Sequence, residues 1–327
     1  MSIDWPALVA LIGAHERFLL TSHIRPDCDA LGSELGMMGV LESLGKDVRI
    51  VNGHPTPPNL AFIDPDLRIE TLGQGVEVAD LDDREVMMIL DTSAWAQLGP
   101  MGEVVKATPA KKLIFDHHVS EDDLGAALYK NTTAEATGRL VAELAEHLHV
   151  PLTPAIATPL FAAVATDTGW FRFPSASPSC YEYMAKLITA GASPPAIYAA
   201  LYEQDTVGRV KLRGRILANI EVELDGRLAY TFALKEDFTE TGALPSDTED
   251  VVNMLLGIAG VEVAVIMVEQ ATGGFKLSFR SQCELNCSEV AGLFGGGGHR
   301  AAAGAFIEGS LSEAQPVVLD GVRKAMR

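Results

Sequence analysis

The sequence has few basic residues for its length. Its 327 residues include 25 lysines and arginines but 44 aspartates and glutamates, which gives a formal net charge of −19. Proteins that grip long nucleic acids do so through many lysine and arginine contacts to phosphate groups. The charge balance therefore argues against such a protein, although a small anion could still bind at one local site.

Cysteines and long apolar runs are scarce as well. The four cysteines are too few for a disulfide framework in a chain of this size, which fits a reducing cytoplasm. The uncharged segment 150–166 contains three prolines and is short for a membrane span. The N-terminal segment has an acidic residue where a secretion signal carries positive charge. We therefore expect a soluble, cytoplasmic protein with no membrane partner.

The composition is that of a folded protein with two domains. Apolar residues make up 48% of the chain, and 327 residues suit two domains of about 100–200 residues each. The pattern changes around residues 190–208, where a Pro-Pro step precedes a helix without an obvious partner in a sheet. We predict a first domain over residues 1–190, a linker over residues 191–215 and a second domain over residues 216–327.

Short apolar runs alternate with helical patterns in the first half of the chain. The strand patterns are "RFLLTSH", "DVRIVN", "EVMMILD" and "KKLIFD", and the helical patterns include "ALGSELGMMGVLESLG", "EATGRLVAELAEHLHV" and "IATPLFAAVAT". This alternation predicts an α/β domain with a parallel sheet and helices on both faces. In the second half, "RLAYTFAL", "VEVAVIMVEQ" and "FKLSFRS" predict the strands of a smaller α/β domain.

Acidic and histidine side chains follow three of the predicted strands, and one more aspartate ends a fourth element. These residues are His23, Asp27, Asp29, Asp91, Asp116, His117, His118 and Asp167. Ligand sites in open parallel sheets lie outside the carboxyl ends of the strands, so we expect these side chains to converge on one crevice.

So many carboxylates in one crevice would repel one another unless cations neutralised them. Oxygen and imidazole ligands without thiolate favour Mn²⁺, Mg²⁺, Fe²⁺ or Co²⁺ over a structural zinc ion. We therefore predict a metal centre with two ions. Taken alone, Asp91 and Asp167 have a simpler interpretation as helix N-caps, and a histidine pair can be an ordinary surface feature.

Taken in order, the motifs resemble those of a known superfamily. "SHIRPDCDALGS", "ILDTS", "FDHH" and "ATDTGWF" resemble the four successive motifs of the DHH phosphoesterase superfamily, and "FRS" with "GGGGHRAAAG" resembles its DHH-associated C-terminal domain. In length and layout the chain is similar to the bacterial nanoRNA phosphodiesterase and pAp phosphatase group, where pAp is adenosine 3′,5′-bisphosphate. The resemblance implies an active site in the cleft between the two domains.

The resemblance also implies a role for each motif residue. Two Mn²⁺ ions are expected, with Mg²⁺ or Co²⁺ as alternatives. One ion would be held by His23, Asp27 and Asp91, and the other by Asp29, Asp91, His117 and Asp167. His118 would face the substrate, and Asp116 would orient a neighbouring imidazole.

The second domain would supply the contacts to the nucleotide. The resemblance assigns these contacts to Arg280, Ser281, Gly297, Gly298 and His299. A glycine run is often only a flexible turn, but here it lies between a predicted helix and strand, where backbone N–H groups could cradle a phosphate. In the first domain, Trp170 and Phe171 are read as core residues, with stacking on a base as the alternative.

Cys28 departs from the superfamily pattern, which usually has glycine between the two aspartates of the first motif. If this position needs an unusual backbone angle, a cysteine would be strained there. If not, the substitution is tolerated, and the thiol near the metals makes the site sensitive to oxidation. We favour a tolerated substitution.

The function implied by the resemblance is hydrolysis at phosphorus. The enzyme would release nucleoside monophosphates from short oligoribonucleotides, remove the 3′-phosphate of pAp, or both. Alternative substrates are cyclic or linear dinucleotides and pyrophosphate, and an alternative class is a protein that senses a nucleotide without turnover. The intact set of six predicted metal ligands favours the enzyme. Long nucleic acid is not expected as a partner, and a homodimer stays open.

Overall fold

The computed structural model describes residues 3–119 and 121–326 and divides into two compact units. Unit 1 runs to Glu203, and unit 2 begins at Gln204. The division falls inside the segment 191–215, which is largely helical. The domain limits drawn from the sequence stay predictions.

A parallel sheet forms the centre of unit 1. Its six described strands are β1 (Arg17–Thr21), β2 (Asp47–Asn52), β3 (Ile69–Thr71), β4 (Val86–Leu90), β5 (Lys111–Asp116) and β6 (Ala127–Lys130). They lie in the order β3-β2-β1-β4-β5-β6, and all neighbours are parallel. The strand order reverses between β1 and β4. In sheets of this kind, a ligand crevice opens at the carboxyl ends beside such a reversal.

Helices cover both faces of this sheet. They are α1 (Trp5–Gly13), α2 (Cys28–Ser43), α3 (Trp95–Leu98), α4 (Met101–Ala107), α5 (Thr137–His147), α6 (Pro154–Asp167), α7 (Pro178–Thr189) and α8 (Pro194–Tyr202). Alternate residues of one strand enter opposite cores: Phe18 packs with α2, α5 and α6, whereas Leu19 packs with α4. Because both faces are buried, the strands read as nearly continuous apolar runs. The predicted fold of the first domain is confirmed.

Glycines let α2 and α6 approach each other closely. A Cβ atom on Gly32 would lie 2.4 Å from the Pro159 carbonyl oxygen, and one on Gly36 would lie 2.3 Å from Leu160 Cδ2. The two helices are antiparallel along this contact, so the start of α2 lies beside the end of α6. Asp29 and Asp167 are thereby brought to the same place.

Unit 2 is a smaller α/β unit built on a mixed sheet. Its strands are β7 (Glu221–Glu223), β8 (Leu228–Ala233), β9 (Val263–Glu269), β10 (Phe275–Ser281), β11 (Gly297–Gly298) and β12 (Ala302–Ile307). Its helices are α9 (Val207–Ala218), α10 (Lys235–Thr241), α11 (Val251–Leu256), α12 (Cys287–Gly292) and α13 (Leu311–Ala325). The strand order is β11-β12-β10-β9-β8-β7, and only β8 and β9 pair in parallel among the described strands.

Each face of this second sheet also has its own apolar core. The predicted second α/β domain is therefore confirmed. In the part of the chain that the structure describes, no helix combines the length and the apolar character that crossing a bilayer requires.

Candidate metal centre

The six predicted metal ligands converge at the carboxyl edge of the first sheet. Three follow strands directly: His23 after β1, Asp91 after β4 and His117 after β5. The other three belong to helix ends: Asp27 caps α2, Asp29 lies in its first turn, and Asp167 is the last residue of α6. β1 and β4 are the neighbours at which the strand order reverses, so the cluster occupies the crevice expected for this fold.

The ligands form two groups that share one residue. In the first group, His23 Nε2 lies 3.4 Å from Asp91 Oδ2 and 3.8 Å from Asp27 Oδ1. In the second, His117 Nε2 has three carboxylate neighbours: Asp91 Oδ1 at 3.6 Å, Asp167 Oδ2 at 3.6 Å and Asp29 Oδ2 at 3.8 Å. The ligand atoms of His23, Asp27 and Asp91 lie within 4.8 Å of one another, and so do those of Asp29, His117 and Asp167. Each group has the donors and the spacing that a divalent cation requires.

Asp91 stands between the two groups. Its Oδ2 faces His23 and its Oδ1 faces His117, so one carboxylate serves both. Its backbone has a left-handed φ of 60°, a conformation that aspartate tolerates better than most residues and that recurs at functional sites. Its N–H donates to the Phe115 carbonyl oxygen at 3.1 Å, which fixes this turn in place.

The simpler interpretation of Asp91 and Asp167 as helix N-caps is wrong. Helix α3, the next helix after Asp91, begins at Trp95 and has Ala94 at the cap position. Asp167 ends a helix instead of starting one. Asp27, by contrast, does cap a helix, because its Oδ1 accepts hydrogen bonds from the N–H groups of Asp29 and Ala30 at 3.0 Å each.

Backbone carbonyls orient both histidines of the cluster. His23 Nδ1 donates to the Ile24 carbonyl oxygen at 3.0 Å, and His117 Nδ1 donates to that of Ala134 at 3.2 Å. Because Nδ1 of each ring is held by a carbonyl oxygen, Nε2 is the nitrogen that faces the carboxylate groups, where it can exchange its proton for a cation. Histidines that bind metals are commonly held in this way.

The start of α5 supports the cluster through residues that the sequence analysis did not identify. Asp29 accepts hydrogen bonds from the N–H groups of Thr137 at 2.8 Å and Gly138 at 2.9 Å, and from Ser33 Oγ at 3.1 Å. Thr137 Oγ1 also donates to Asp91 Oδ1 at 2.9 Å. Free N–H groups at a helix start favour an anion, so the predicted helix at "EATG" was the available signal.

The electrostatics of the cluster favour a bound cation. Burial and the neighbouring Asp29 raise the pKa of Asp91 well above its ordinary value and that of Asp167 to about 6. Burial alone would lower the pKa of His23, but hydrogen bonds to Asp27 and Asp91 outweigh it and raise the pKa to about 11. The carboxylates are therefore costly as unpaired anions, and the imidazole gains from positive charge. The donor set fits divalent metal ions.

His118 belongs to a separate chain of hydrogen bonds beside the metal centre. Its Nδ1 donates to Asp116 Oδ1 at 2.8 Å, and its side chain is 50% exposed. The fully buried Asp116 also accepts a hydrogen bond from Ser93 Oγ at 2.9 Å, and Lys130 Nζ lies 3.2 Å from it. Lys130 ends β6, a four-residue strand that the sequence pattern did not predict, so its place here was not foreseen.

These hydrogen bonds favour the positively charged form of His118. Burial would raise the pKa of Asp116, but hydrogen bonds from the side chain and backbone of His118 outweigh it and lower the pKa to about 2. The same hydrogen bond raises the pKa of His118. Asp116 is thus an anion that orients and charges the neighbouring imidazole, while Nε2 of His118 stays outside this hydrogen bond.

A cavity of about 510 Å³ lies over the centre. Its lining includes His23, Asp27, Asp91 and His118. The rest of the wall is formed by Ile24, Arg25, the loop before α3 (Thr92, Ser93 and Ala94) and Gln97 of α3. Three of the six predicted ligands and His118 therefore face a space large enough for part of a nucleotide.

The predicted phosphate-binding residues of unit 2 lie at one edge of its sheet. Arg280 in β10 pairs with Ala302 of β12, and Gly297 and Gly298 form β11 on the other side of β12. His299 begins the turn between β11 and β12, where its N–H donates to the Ala302 carbonyl oxygen at 2.8 Å. The hairpin therefore brings the glycine run, His299 and Arg280 into neighbouring strands.

Gly298 and Ser281 differ in how they fit this edge. Gly298 has a φ of 149°, and a Cβ atom there would lie 2.7 Å from the Ala302 carbonyl oxygen, so only glycine fits. Ser281 is 7% exposed, and its hydroxyl takes part in a local turn with Cys283. Because side chains alternate along a strand, Ser281 points to the opposite face from Arg280.

The remaining residues singled out from the sequence are also placed. Cys28 begins α2 without a left-handed φ, so the strained alternative is wrong. Burial raises the pKa of its thiol to about 12. Trp170 and Phe171 are half-buried, and their rings contact each other and Phe161. They pack against the core of unit 1, as the core interpretation predicts.

Comparison with known proteins agrees with this geometry. The family model "DHH family, N-terminal domain" matches residues 17–164, and the DHHA1 domain matches residues 225–327. The bifunctional oligoribonuclease and PAP phosphatase NrnA of Thermus thermophilus is 29% identical over 94% of this chain and 89% of its own. The protein of the same name from Bacillus subtilis is 28% identical over 96% of each chain.

Among solved structures, an exopolyphosphatase-related protein from Bacteroides fragilis has a TM-score of 0.83 with this chain. The two are 26% identical, and the match covers 98% of this chain and 95% of the other. The resemblance drawn from the motifs is therefore confirmed along both units.

Proposed function

Because the chain belongs to the DHH family of phosphoesterases, we propose that it hydrolyses short oligoribonucleotides to nucleoside monophosphates and removes the 3′-phosphate of pAp. Its relatives in Thermus thermophilus and Bacillus subtilis are both named for these two activities, and each matches nearly the whole chain. The free cysteines support a cytoplasmic location.

The observation that carries the proposal is the position of Asp91 between two groups of metal-type ligands. We assign one ion to His23, Asp27 and Asp91, and the other to Asp29, Asp91, His117 and Asp167. Oxygen and imidazole donors without thiolate favour Mn²⁺, with Mg²⁺ or Co²⁺ as alternatives. Such a pair of ions activates water and stabilises the oxygens of an in-line displacement at phosphorus.

The protein's own residues supply the proton for the leaving group. The pKa of His118 is raised and its ring is held through Nδ1 by Asp116, so Nε2 lies outside this hydrogen bond and can carry a proton toward the substrate. We assign this N–H as the donor to the leaving oxygen. Asp116 positions the ring and stabilises its charge, while Lys130 and Ser93 hold Asp116 in place.

Unit 2 is assigned the binding of the nucleotide. Arg280 can form paired charged hydrogen bonds to a phosphate, and the backbone N–H groups of the Gly297–Gly298 strand can approach one closely. The side chain of His299 is exposed beside them. Ser281 enters only as support for the turn that follows β10, because its hydroxyl is directed to Cys283.

The test is an assay of the manganese-loaded protein on a panel of substrates. pAp, a dinucleotide, a short RNA, a cyclic dinucleotide and pyrophosphate are compared, and the products are resolved by chromatography. We expect nucleoside monophosphates from the dinucleotide and the RNA, and AMP from pAp. Turnover of only the cyclic dinucleotide or pyrophosphate would overturn the substrate assignment, and binding without any turnover would indicate a sensor.

Substrate length gives a second test. With a net charge of −19, the protein should repel every phosphate that lies outside the local site. Short RNA should therefore be degraded faster than long RNA at low ionic strength, and added salt should narrow the difference by screening. Equal rates on an RNA of about five and one of about fifty residues at low salt would contradict this expectation.

A further inference from the structure

Arg25 differs from the other arginines of unit 1 because its guanidinium has no partner among the residues that the structure describes. The other six, Arg17, Arg49, Arg68, Arg84, Arg139 and Arg172, each make a side-chain hydrogen bond. Among the described residues, Arg25 has no side-chain hydrogen bond, ion pair or ring contact. It is exposed, and it lines the cavity over the metal centre. In a protein with this excess of acidic residues, an unpaired arginine beside aspartates is unexpected.

The backbone at Arg25 is held in a costly conformation. Its φ is 54°, in the left-handed region, and it precedes a proline, which restricts the backbone further. Its N–H donates to His54 Nδ1 at 3.3 Å, and the Ile24 N–H donates to the Gln97 carbonyl oxygen at 2.7 Å. Contacts on both sides therefore fix the direction in which this side chain leaves the loop. Strained residues that the surroundings hold in place cluster at functional sites.

We propose that Arg25 binds a phosphate of the substrate other than the one being cleaved. The proposal rests on the function proposed above and adds an anion subsite within the catalytic unit. Of the described residues that line this cavity, Arg25 is the only lysine or arginine, and the other titratable groups are His23, Asp27, Asp91 and His118. An arginine suits a phosphate because its planar fork forms paired, charged hydrogen bonds.

The position of Arg25 favours a second phosphate over the scissile one. The scissile phosphate would lie at the ligand groups that share Asp91, which is 2% exposed. Arg25 lies on the exposed rim, next to Asp27, whose side chain is 63% exposed. A substrate with two phosphates can therefore reach the rim and the buried centre together. A substrate with one phosphate has no second phosphate that the Arg25 guanidinium could bind.

The test compares two nucleotides that differ by one phosphate. pAp and 3′-AMP share the base, the sugar and the 3′-phosphate to be removed, but only pAp has a 5′-phosphate. We expect Arg25→Asn to lower the ratio of kcat/KM for pAp to that for 3′-AMP by about tenfold, the effect of one charged hydrogen bond. For Arg25→Lys, the ratio should lie between those of the wild type and Arg25→Asn, because lysine keeps the positive charge but lacks the planar guanidinium. Asparagine tolerates a left-handed backbone, so the loop should keep its shape.

Lys111→Gln is the matched control. Lys111 is exposed at the amino end of β5, at the opposite edge of the sheet, and it also has no side-chain partner among the described residues. Its removal changes the net charge equally and should leave the ratio unchanged. An equal fall in the ratio for Lys111→Gln, or an unchanged ratio for Arg25→Asn, would overturn the proposal. An unchanged ratio includes the case in which Arg25→Asn lowers kcat/KM equally for both nucleotides.

Failure of the proposed function has a different signature. If the manganese-loaded wild type hydrolyses neither nucleotide, the proposed function fails, and the same ratio is then measured as dissociation constants by titration calorimetry. Arg25→Asn should weaken the binding of pAp about tenfold more than that of 3′-AMP. Equal weakening or none would overturn the anion subsite independently of catalysis. Circular dichroism of each variant confirms that the fold is intact.

Discussion

The two units differ in how deeply the polar residues proposed for function are buried. In unit 1, Asp29, Asp91 and Asp116 are almost completely buried, and each accepts hydrogen bonds from neighbouring elements. In unit 2, His299 is exposed, and the half-buried Arg280 bonds only the carbonyl of its own neighbour Phe279 among the described residues. Unit 1 thus holds these three carboxylates in fixed positions, whereas unit 2 leaves its two basic side chains accessible.

The difference fits the roles that we propose for the two sets of residues. Carboxylates that hold two cations near each other must be aligned before the cations bind, because close anions repel and cannot be positioned by the ligand alone. Residues that contact a nucleotide must instead be reachable from solvent. The parallel sheet serves the first task because neighbouring strands deliver their following residues to one edge. The hairpin of unit 2 suits the second task, because its residues can be reached from solvent.

The sharpest test of the comparison is Asp91→Asn. Asparagine keeps the shape but removes the negative charge shared by both ligand groups, so we expect turnover of every substrate to fall by on the order of a thousandfold or more, about 4 kcal/mol. Bound manganese, measured by mass spectrometry, should fall as well. Because the pKa of Asp91 is raised, the neutral residue should not destabilise the metal-free fold.

The matched control is Asp66→Asn, which removes an equal charge from an exposed site without a described partner. It should keep wild-type turnover and metal content. If Asp91→Asn also keeps both, Asp91 does not join two metal sites, and the contrast between the units loses its basis.

The second test addresses the exposed residues of unit 2. Arg280→Ala and His299→Ala should each lower kcat/KM on pAp or a dinucleotide. The expected loss of transition-state stabilisation is about 1.5–3 kcal/mol, the value of a charged hydrogen bond. The loss should be far smaller on bis(p-nitrophenyl) phosphate, which lacks the rest of the nucleotide. Manganese content should stay that of the wild type. Equal losses on the nucleotide and the small ester would place unit 2 in the chemistry or in the stability of the fold.

The third test uses the raised pKa values of unit 1. Asp167, with a pKa near 6, ionises more readily in the unfolded chain, so the metal-free fold should lose stability as the pH rises toward 6. His23, with a pKa near 11, acts in the same direction from about pH 6.5 upward. Manganese should reverse both effects, because it replaces the protons on these ligands.

We therefore expect the rise in melting temperature caused by manganese to be larger near about pH 8 than near about pH 5. Differential scanning calorimetry with manganese and with a chelator measures this rise. A rise that is constant or that shrinks with pH would contradict the assigned ligands.

The smallest effect is expected at Cys28. Its thiol is 3% exposed and has a pKa near 12, so it should resist iodoacetamide in the native protein at neutral pH. Cys28→Ala should keep the turnover and the metal content, because the residue has ordinary helical backbone at the start of α2. Rapid labelling of Cys28, detected by mass spectrometry, would show that the buried side of the centre opens to solvent.

The sequence was informative where a side chain follows a long apolar strand. His23, Asp91 and the "DHH" motif each come directly after such a run, so their convergence could be predicted from the sheet alone. The short strand β6 gave no pattern of its own, and Lys130 at its end was missed. Thr137 and Gly138 were missed for another reason, since their contribution is made by backbone N–H groups that every residue has.

The sequence by itself determined the α/β fold and which acidic and histidine side chains follow its strands, because these depend on residue type and on local periodicity. Only the tertiary structure decided which oxygen of Asp91 faces which histidine, that Ser281 points away from Arg280, and that the Arg25 side chain has no partner among the described residues. These features depend on distances between segments far apart in the chain. Close packing of elements such as α2 and α6 sets those distances, and no local pattern records them.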